Sequence, residues 1–126
     1  MSNNLPVVLL VEDEAAISML LQDVMEEAGY AVAGPFATCA RALTWLETET
    51  PDRAVLDTIL LDGSCKDLAA ELIRRKVPFL VFSGTPKRDN PADEFQDAVW
   101  IEKPAPLPTL LEALEGLRPE AMRREA

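Results

Sequence analysis

Histidine is absent from this chain of 126 residues, and cysteine, glycine and aromatic side chains are scarce. Without histidine the chain cannot form a Ser-His-Asp or Cys-His catalytic centre, and it lacks the usual ligand of a catalytic zinc ion. Two cysteines, Cys39 and Cys65, are too few for a disulfide framework or a thiolate zinc cluster. We expect them to be reduced, partly buried thiols.

Positive charge is also in short supply, since the chain has 12 basic and 22 acidic residues and a net charge of −10. Binding to nucleic-acid phosphates needs clustered Lys and Arg, so this balance argues against a nucleic-acid partner. No apolar run reaches the ~20 residues that cross a bilayer. The run Leu5–Val11 lacks the basic start and the cleavage site of a secretory signal. The sequence therefore predicts a cytoplasmic protein without a membrane partner.

Short β-type runs recur along the chain at intervals of roughly 20–25 residues, which is the length of one strand, one helix and two loops. Most of them are continuously apolar, which is typical of strands buried on both faces of a parallel sheet. The predicted strands are Val7–Val11, Tyr30–Gly34, Ala54–Asp57, Phe79–Phe82 and Ala98–Ile101.

The segments between these strands are mostly amphipathic and predict helices. Thr38 is a candidate N-cap of the second helix, and Gly29 is a candidate stop signal for the first. The fourth segment, residues 85–97, contains Pro86 and Pro91, so we expect a short or absent helix there. A strand and a helix repeated five times predict a three-layer, doubly wound α/β fold with right-handed crossovers.

We expect a single domain over residues 1–126, with a core from about residue 5 to residue 117. The tail, residues 118–126, is too short for a second domain, and we expect no output domain. Asp62 beside Gly63 predicts a turn, and Asp67 is expected to complement the dipole of the third helix.

Polar residues follow the predicted strands at the point where each strand ends. Glu12 and Asp13 follow the first strand, Asp57 ends the third, Ser83 follows the fourth and Lys103 follows the fifth. Ligands of open α/β sheets bind at the carboxyl ends of the strands. Three carboxylates at one edge raise each other's pKa unless a cation joins them, and Mg²⁺ fits such oxygens best. An Asp beside a metal ion and a Lys predicts a nucleophile for phosphoryl transfer.

The segments VVLLVEDE, AVLDTILLDG, LVFSGT and IEKP together resemble the receiver domain of bacterial two-component response regulators. The resemblance extends from Leu5 to about Leu117. Its specificity comes from the combination of an acidic pair, an Asp, a Ser and a Lys-Pro at successive strand ends. It implies a five-stranded parallel sheet in the order 2-1-3-4-5.

The resemblance also implies a role for each residue of the acidic edge. Asp57 would accept the phosphoryl group. Glu12 and Asp13 would hold Mg²⁺ together with Asp57 and the backbone carbonyl of Ile59. In the absence of the other strand-end residues, Glu12, Asp13 and Glu14 would read simply as an acidic first helical turn.

Ser83 and Lys103 would contact the phosphoryl group, by the same resemblance. Ser83 would move toward the added oxygens, and Trp100 would turn inward, because it stands where the family has a switch Tyr or Phe. Trp100 is larger than either residue, so blocked rotation and a plain strand role stay open as alternatives. The Lys103–Pro104 peptide is expected to be cis.

The implied partners are a histidine kinase or a histidine phosphotransfer protein, because the chain has no histidine of its own. A downstream protein is expected but not identified, and a homodimer stays an open alternative. The chain would catalyse its own phosphorylation and slow dephosphorylation but would act as a switch rather than as an enzyme.

Two alternatives compete with this interpretation. A phosphatase of the haloacid dehalogenase type would need a second Asp two residues after Asp57, where Ile59 stands. A degenerate receiver would serve only as a protein-binding module, independent of phosphorylation, and it would fail to bind Mg²⁺.

Overall fold

The computed structural model describes residues 5–89 and 93–117, in which strands and helices alternate along the chain. The predicted tail, residues 118–126, lies outside the described residues. The helices are α1 (Ala15–Glu27), α2 (Cys39–Leu46), α3 (Lys66–Arg74) and α4 (Leu107–Glu115). The strands are β1 (Val7–Val11), β2 (Ala31–Phe36), β3 (Arg53–Leu56), β4 (Ile59–Leu60), β5 (Gly63–Ser64), β6 (Phe79–Ser83) and β7 (Val99–Glu102).

A parallel five-stranded sheet forms the middle layer, in the order β2-β1-β3-β6-β7. This order confirms the predicted 2-1-3-4-5, because β6 and β7 are the fourth and fifth strands of the sheet. Its central strand β3 lies between β1 and β6, so Leu56 pairs with Val11 on one side and Val81 on the other. The carboxyl ends of these three strands therefore meet at one edge of the sheet.

Two buried clusters, one on each face of the sheet, complete the three predicted layers. Leu9 and Val11 of β1 lie in the cluster that contains the buried faces of α2 and α3. Val8 and Leu10 lie in the cluster with α1 and α4. Because side chains alternate along a strand, a strand buried on both faces has to be continuously apolar. Within the described residues, no helix has the length and apolar character to cross a membrane.

The predicted helix signals and one strand boundary can be compared directly with the structure. Thr38 caps α2, because its hydroxyl oxygen accepts a hydrogen bond from the Arg41 N–H at 3.2 Å. Gly29 follows α1 with a φ of +100°, which side-chain-bearing residues rarely adopt. The second strand runs to Phe36 rather than to Gly34. Pro35 is tolerated there because β2 is an edge strand, where one missing N–H need not break a ladder.

The segment between β6 and β7 agrees with the prediction of a short or absent helix. Between β6 and β7 the described residues form two 3₁₀ turns, Lys87–Asp89 and Asp93–Phe95, and no α-helix. Residues 90–92, which include Pro91, lie outside the described residues. Phe95 is fully buried and fixes the second turn against the α2–α3 side of the core.

The prediction of two free, reduced thiols is wrong, because Cys39 and Cys65 form a disulfide. Cys39 begins α2 and Cys65 immediately precedes α3, and their Cα atoms are 5.8 Å apart. Both residues are buried. The two helices pack side by side on one face of the sheet, which brings together cysteines that are 26 positions apart in the sequence.

A small antiparallel hairpin of β4 and β5 directly follows the Asp57 strand end. Its turn contains Asp62, as predicted, but the Asp62 carboxylate has a further role. It accepts hydrogen bonds from the N–H groups of Cys39, at 2.9 Å, and Ala40, at 3.0 Å. These bonds lower the pKa of Asp62 and cap the first turn of α2 from outside the helix.

Candidate functional site

The carboxyl edge of the sheet brings together the polar residues that follow its strands. Glu12 and Asp13 come directly after β1, and Asp57 comes directly after β3. Ser83 is the last residue of β6, and Lys103 comes directly after β7. The backbone N–H of Lys103 donates to the carbonyl of Ser83 at 2.8 Å, which aligns the last two strand ends.

Three carboxylates converge at this edge. Glu12, Asp13 and Asp57 each offer one oxygen, and these oxygens lie within 4.8 Å of one another. Glu12 and Asp57 are buried and Asp13 is half-buried. Converging carboxylates are the hard oxygen donors that suit Mg²⁺, so the donor set fits that ion. The side chain of Ile59 is 58% exposed, and its backbone carbonyl as a further ligand stays a prediction.

Lys103 inserts its ammonium group among these acids. Its Nζ lies 3.0 Å from Glu12 Oε1, 3.0 Å from Glu14 Oε1 and 3.1 Å from Asp57 Oδ2. The Lys103 side chain is only 12% exposed, and its Nζ also lies 5.5 Å from the centroid of the Phe82 ring. One ammonium cannot neutralise all of these carboxylates, so the edge keeps an excess of negative charge that favours a cation.

Burial and neighbouring charges have opposite effects on the pKa values of Glu12 and Lys103. Burial raises the pKa of Glu12, although the N–H of Glu14 and the ammonium of Lys103 oppose that shift. Burial alone would lower the pKa of Lys103, but its hydrogen bonds to Glu12, Glu14 and Asp57 outweigh it and raise that pKa. Lys103 therefore stays protonated at neutral pH and presents a fixed positive charge next to Asp57.

Ser83 is buried at the end of β6, and its hydroxyl group already has two hydrogen-bond partners. Its Oγ is 3.1 Å from Thr58 Oγ1 and accepts a hydrogen bond from the Thr85 N–H at 3.1 Å. Ser83 and Thr58 are each only 1% exposed. Any group that recruits the Ser83 hydroxyl has to compete with these two bonds.

Trp100 on β7 lies half-buried beside the loop that follows Ser83. Its indole N–H donates to the carbonyl of Thr85 at 3.1 Å, and its ring meets the Phe95 ring edge-on at 6.2 Å between centroids. The indole is thus held by one polar and one aromatic contact in this conformation. A switching role for Trp100 stays a prediction.

Sequence reasoning missed two residues of this site. It treated Glu14 only as part of an acidic helical turn, although the Glu14 carboxylate is an ion-pair partner of Lys103. It gave no role to Thr58, whose N–H donates to Asp57 Oδ1 at 2.7 Å and whose hydroxyl contacts Ser83. Their positions next to Asp13 and Asp57 in the sequence were the available signal.

Comparison with known proteins places the chain among receiver domains. A family model described as the response regulator receiver domain matches residues 8–115. The transcriptional regulatory protein PdtaR of Mycobacterium tuberculosis is 29% identical over 112 residues, which make up 86% of this chain and 54% of that protein. The chain thus spans about half the length of the curated relatives it matches.

Solved structures agree with this assignment. A response regulator receiver domain protein from Methanospirillum hungatei JF-1 has a TM-score of 0.81 at 25% identity, covering 98% of this chain and 100% of the other. SdrG from Sphingomonas melonis Fr1 has a TM-score of 0.75 at 29% identity, covering 97% and 99%.

Proposed function

We propose that this chain, which belongs to the response regulator receiver domain family, is a switch that accepts a phosphoryl group on Asp57. The observation that carries the proposal is the position of the Asp57 carboxylate between a fixed ammonium group and two further acids. Asp57 Oδ2 is 3.1 Å from Lys103 Nζ, and one oxygen each of Asp57, Glu12 and Asp13 lie within 4.8 Å of one another, close enough to bind one metal ion. Nucleophile, positive charge and metal ligands therefore share one strand edge.

In the proposed reaction a carboxylate oxygen of Asp57 attacks the phosphorus of a phosphohistidine on another protein. The new P–O bond forms as the P–N bond breaks, and the donor imidazole leaves with a proton. Lys103 meets one phosphoryl oxygen with its ammonium group, and the Ser83 hydroxyl donates a hydrogen bond to another. Water later attacks the same phosphorus and returns the Asp57 carboxylate and inorganic phosphate.

The metal ligands in this proposal are Glu12, Asp13, Asp57 and the backbone carbonyl of Ile59. Mg²⁺ bound there would supply positive charge against the oxygens of the transferred group. The ammonium of Lys103 now bonds to Glu12 and Asp57, so it has to release at least one of them to meet the phosphoryl group. Glu14, which is more exposed, can keep its bond to Lys103 during that movement.

The proposed phosphodonor is a histidine kinase or a histidine phosphotransfer protein, and we place the exchange in the cytoplasm. The output is a changed surface that a downstream protein, or a second copy of this chain, recognises. In this proposal the chain catalyses its own phosphorylation and its slow hydrolysis and works as a signalling switch. Phosphorylation biases two conformations that already exist, because a modification acts only through its different energy in each.

Intact mass spectrometry after incubation with Mg²⁺ and acetyl phosphate tests the proposal. We expect one phosphoryl adduct on the wild type, no adduct without Mg²⁺ and no adduct on Asp57→Ala. Asp67→Asn, which changes an exposed acid in the first turn of α3, serves as the matched control and keeps the adduct. An adduct that persists in Asp57→Ala would contradict the proposal. A wild type that gains no adduct and binds no Mg²⁺ would favour the protein-binding module instead.

A further inference from the structure

A chain of hydrogen bonds runs from the proposed phosphoacceptor to the indole of Trp100. The Thr58 N–H donates to Asp57 Oδ1 at 2.7 Å, and Thr58 Oγ1 lies 3.1 Å from Ser83 Oγ. Ser83 Oγ accepts from the Thr85 N–H at 3.1 Å, and the Thr85 carbonyl accepts from the Trp100 indole at 3.1 Å. Thr58 is the residue that joins the Asp57 end of this chain to the Ser83 end.

Burial makes the contact between the two hydroxyl groups specific. Thr58 and Ser83 are each only 1% exposed, so water does not readily replace either partner. A buried hydroxyl group without a partner destabilises the conformation that contains it. The pair of hydroxyl groups therefore stabilises the conformation in which Ser83 points at Thr58 and Thr85.

The proposed function asks Ser83 for a different contact. The Ser83 hydroxyl can donate only one hydrogen bond, and a phosphoryl oxygen on Asp57 would accept it. Side chains occupy separate staggered rotamers, so a turn of Ser83 toward that oxygen takes its Oγ away from Thr58 and from the Thr85 N–H together. The Thr85 loop then loses its anchor, and the loop carbonyl that holds the Trp100 indole is free to move.

We propose that the Thr58 hydroxyl is a latch that holds Ser83 in the unphosphorylated conformation. The strength of this latch sets the midpoint at which a phosphoryl group, or a mimic of it, releases Trp100. This proposal rests on the proposed function. Thr58 is a positioning residue, since it acts through Ser83 rather than on the phosphoryl group. Removing its hydroxyl destabilises only the starting conformation, by the net value of one hydrogen bond, and so shifts the switching midpoint by about two- to tenfold.

Fluorescence of Trp100 reports the release directly. The chain contains two tryptophans, and Trp45 packs against the Phe36 ring, so Trp45→Phe leaves Trp100 as the single reporter. In that background, beryllium fluoride is titrated at fixed Mg²⁺ as a stable mimic of the phosphoryl group. Thr58→Val should lower the half-maximal beryllium fluoride concentration by about two- to tenfold, and Thr58→Ser, which keeps the hydroxyl, should restore the starting midpoint.

A cycle with Ser83→Ala separates the latch from simple packing. In the Ser83→Ala background the latch has no partner and the Thr85 N–H has already lost its acceptor, so the Trp100 fluorescence should be close to its released value and adding Thr58→Val should not change it. A fluorescence change on adding Thr58→Val to Ser83→Ala, or a Thr58→Val midpoint equal to that of the Trp45→Phe parent, would overturn the latch. Unfolding in urea checks that each variant folds. If Thr58→Val does not fold, Thr58→Ala also removes the hydroxyl and is compared with the parent in the same way.

The proposed function and the latch can fail separately in these experiments. A normal Mg²⁺-dependent adduct in the mass spectrum together with an unshifted midpoint overturns the latch alone. The absence of any adduct on the wild type, together with the absence of any Trp100 response in the Trp45→Phe parent, overturns both.

Discussion

The two sides of Asp57 are held together by contacts of different kinds. On one side lies the α2–α3 flank, defined here as residues 38–50 and 59–75. A disulfide joins the starts of its two helices, the Asp62 carboxylate caps α2, and the Arg75 guanidinium donates to the carbonyl groups of Leu46 and Glu49. Covalent, charged and capping contacts therefore fix the hairpin that follows Asp57.

On the other side lies the β6–β7 segment, whose described residues are 84–89 and 93–98. These described residues form two 3₁₀ turns in place of a helix, and Phe95 is the one among them whose side chain is fully buried. Thr85 bonds to Ser83 through its N–H and to Trp100 through its carbonyl. Regions with few buried contacts open at the lowest free energy. A new charge on Asp57 should therefore move the β6–β7 segment and leave the α2–α3 flank in place.

Phe95→Ala is the change that should have the largest effect. Phe95 is the fully buried anchor of the β6–β7 segment and meets Trp100 edge-on. Its truncation leaves a cavity, so we expect the free energy of unfolding to fall by about 3–5 kcal/mol in urea titrations. Leu61→Ala, which shortens an exposed side chain in the hairpin, is the control and should change little. A loss below about 1 kcal/mol would show that the segment has another anchor.

Loss of the disulfide should come next in size. Closing a loop between cysteines 26 positions apart stabilises a fold by about 3 kcal/mol. Dithiothreitol should lower the free energy of unfolding of the wild type by that amount and leave a Cys39→Ser, Cys65→Ser double variant unchanged.

The same double variant tests whether the α2–α3 flank stays in place while the β6–β7 segment moves. If the α2–α3 flank stays in place during switching, the beryllium fluoride midpoint of Trp100 fluorescence should stay within about twofold of the starting value. A larger shift would mean that the flank takes part in the switch.

The strand-end residues were predictable from the sequence because their positions follow from topology alone. A parallel sheet places all its carboxyl ends at one edge, so Glu12, Asp57 and Lys103 had to converge once the strands were identified. The continuous apolar runs identified those strands without any knowledge of side-chain packing. The lack of an α-helix in the described part of the β6–β7 segment was equally predictable, because Pro86 and Pro91 interrupt that segment of the sequence.

The remaining contacts depend on how elements pack, which the sequence pattern does not encode. Cys39 and Cys65 meet because α2 and α3 lie side by side, with a strand and a hairpin between them in the chain. Asp62 beside Gly63 is typical of a turn, which the sequence shows. Its capping of α2 depends on the position of the hairpin, which brings the Asp62 carboxylate to the N–H of Cys39. Thr58 pairs with a residue 25 positions away, so its role depends on a side-chain conformation.

Acid should produce the smallest effect, and it acts on the α2–α3 flank through Glu71. Hydrogen bonds from Arg74 and Arg75 lower the pKa of Glu71 to about 2, from an ordinary value of 4.5. A carboxyl group with a lowered folded-state pKa stabilises the fold fully above its unfolded pKa and loses that contribution as the pH falls from about 4.5 to about 2. Protonation would release the Arg75 side chain, which also links α3 to the end of α2.

Glu71→Gln should therefore lower the urea midpoint at neutral pH and match the wild type near pH 2, so that this part of the acid slope disappears. The control is Glu112→Gln, which changes an exposed acid on α4 and should keep the wild-type slope. A slope that survives in Glu71→Gln would assign the acid sensitivity to another carboxyl group with a lowered pKa, such as that of Asp62. The α2–α3 flank would then owe its rigidity to the disulfide and the Asp62 cap rather than to this ion pair.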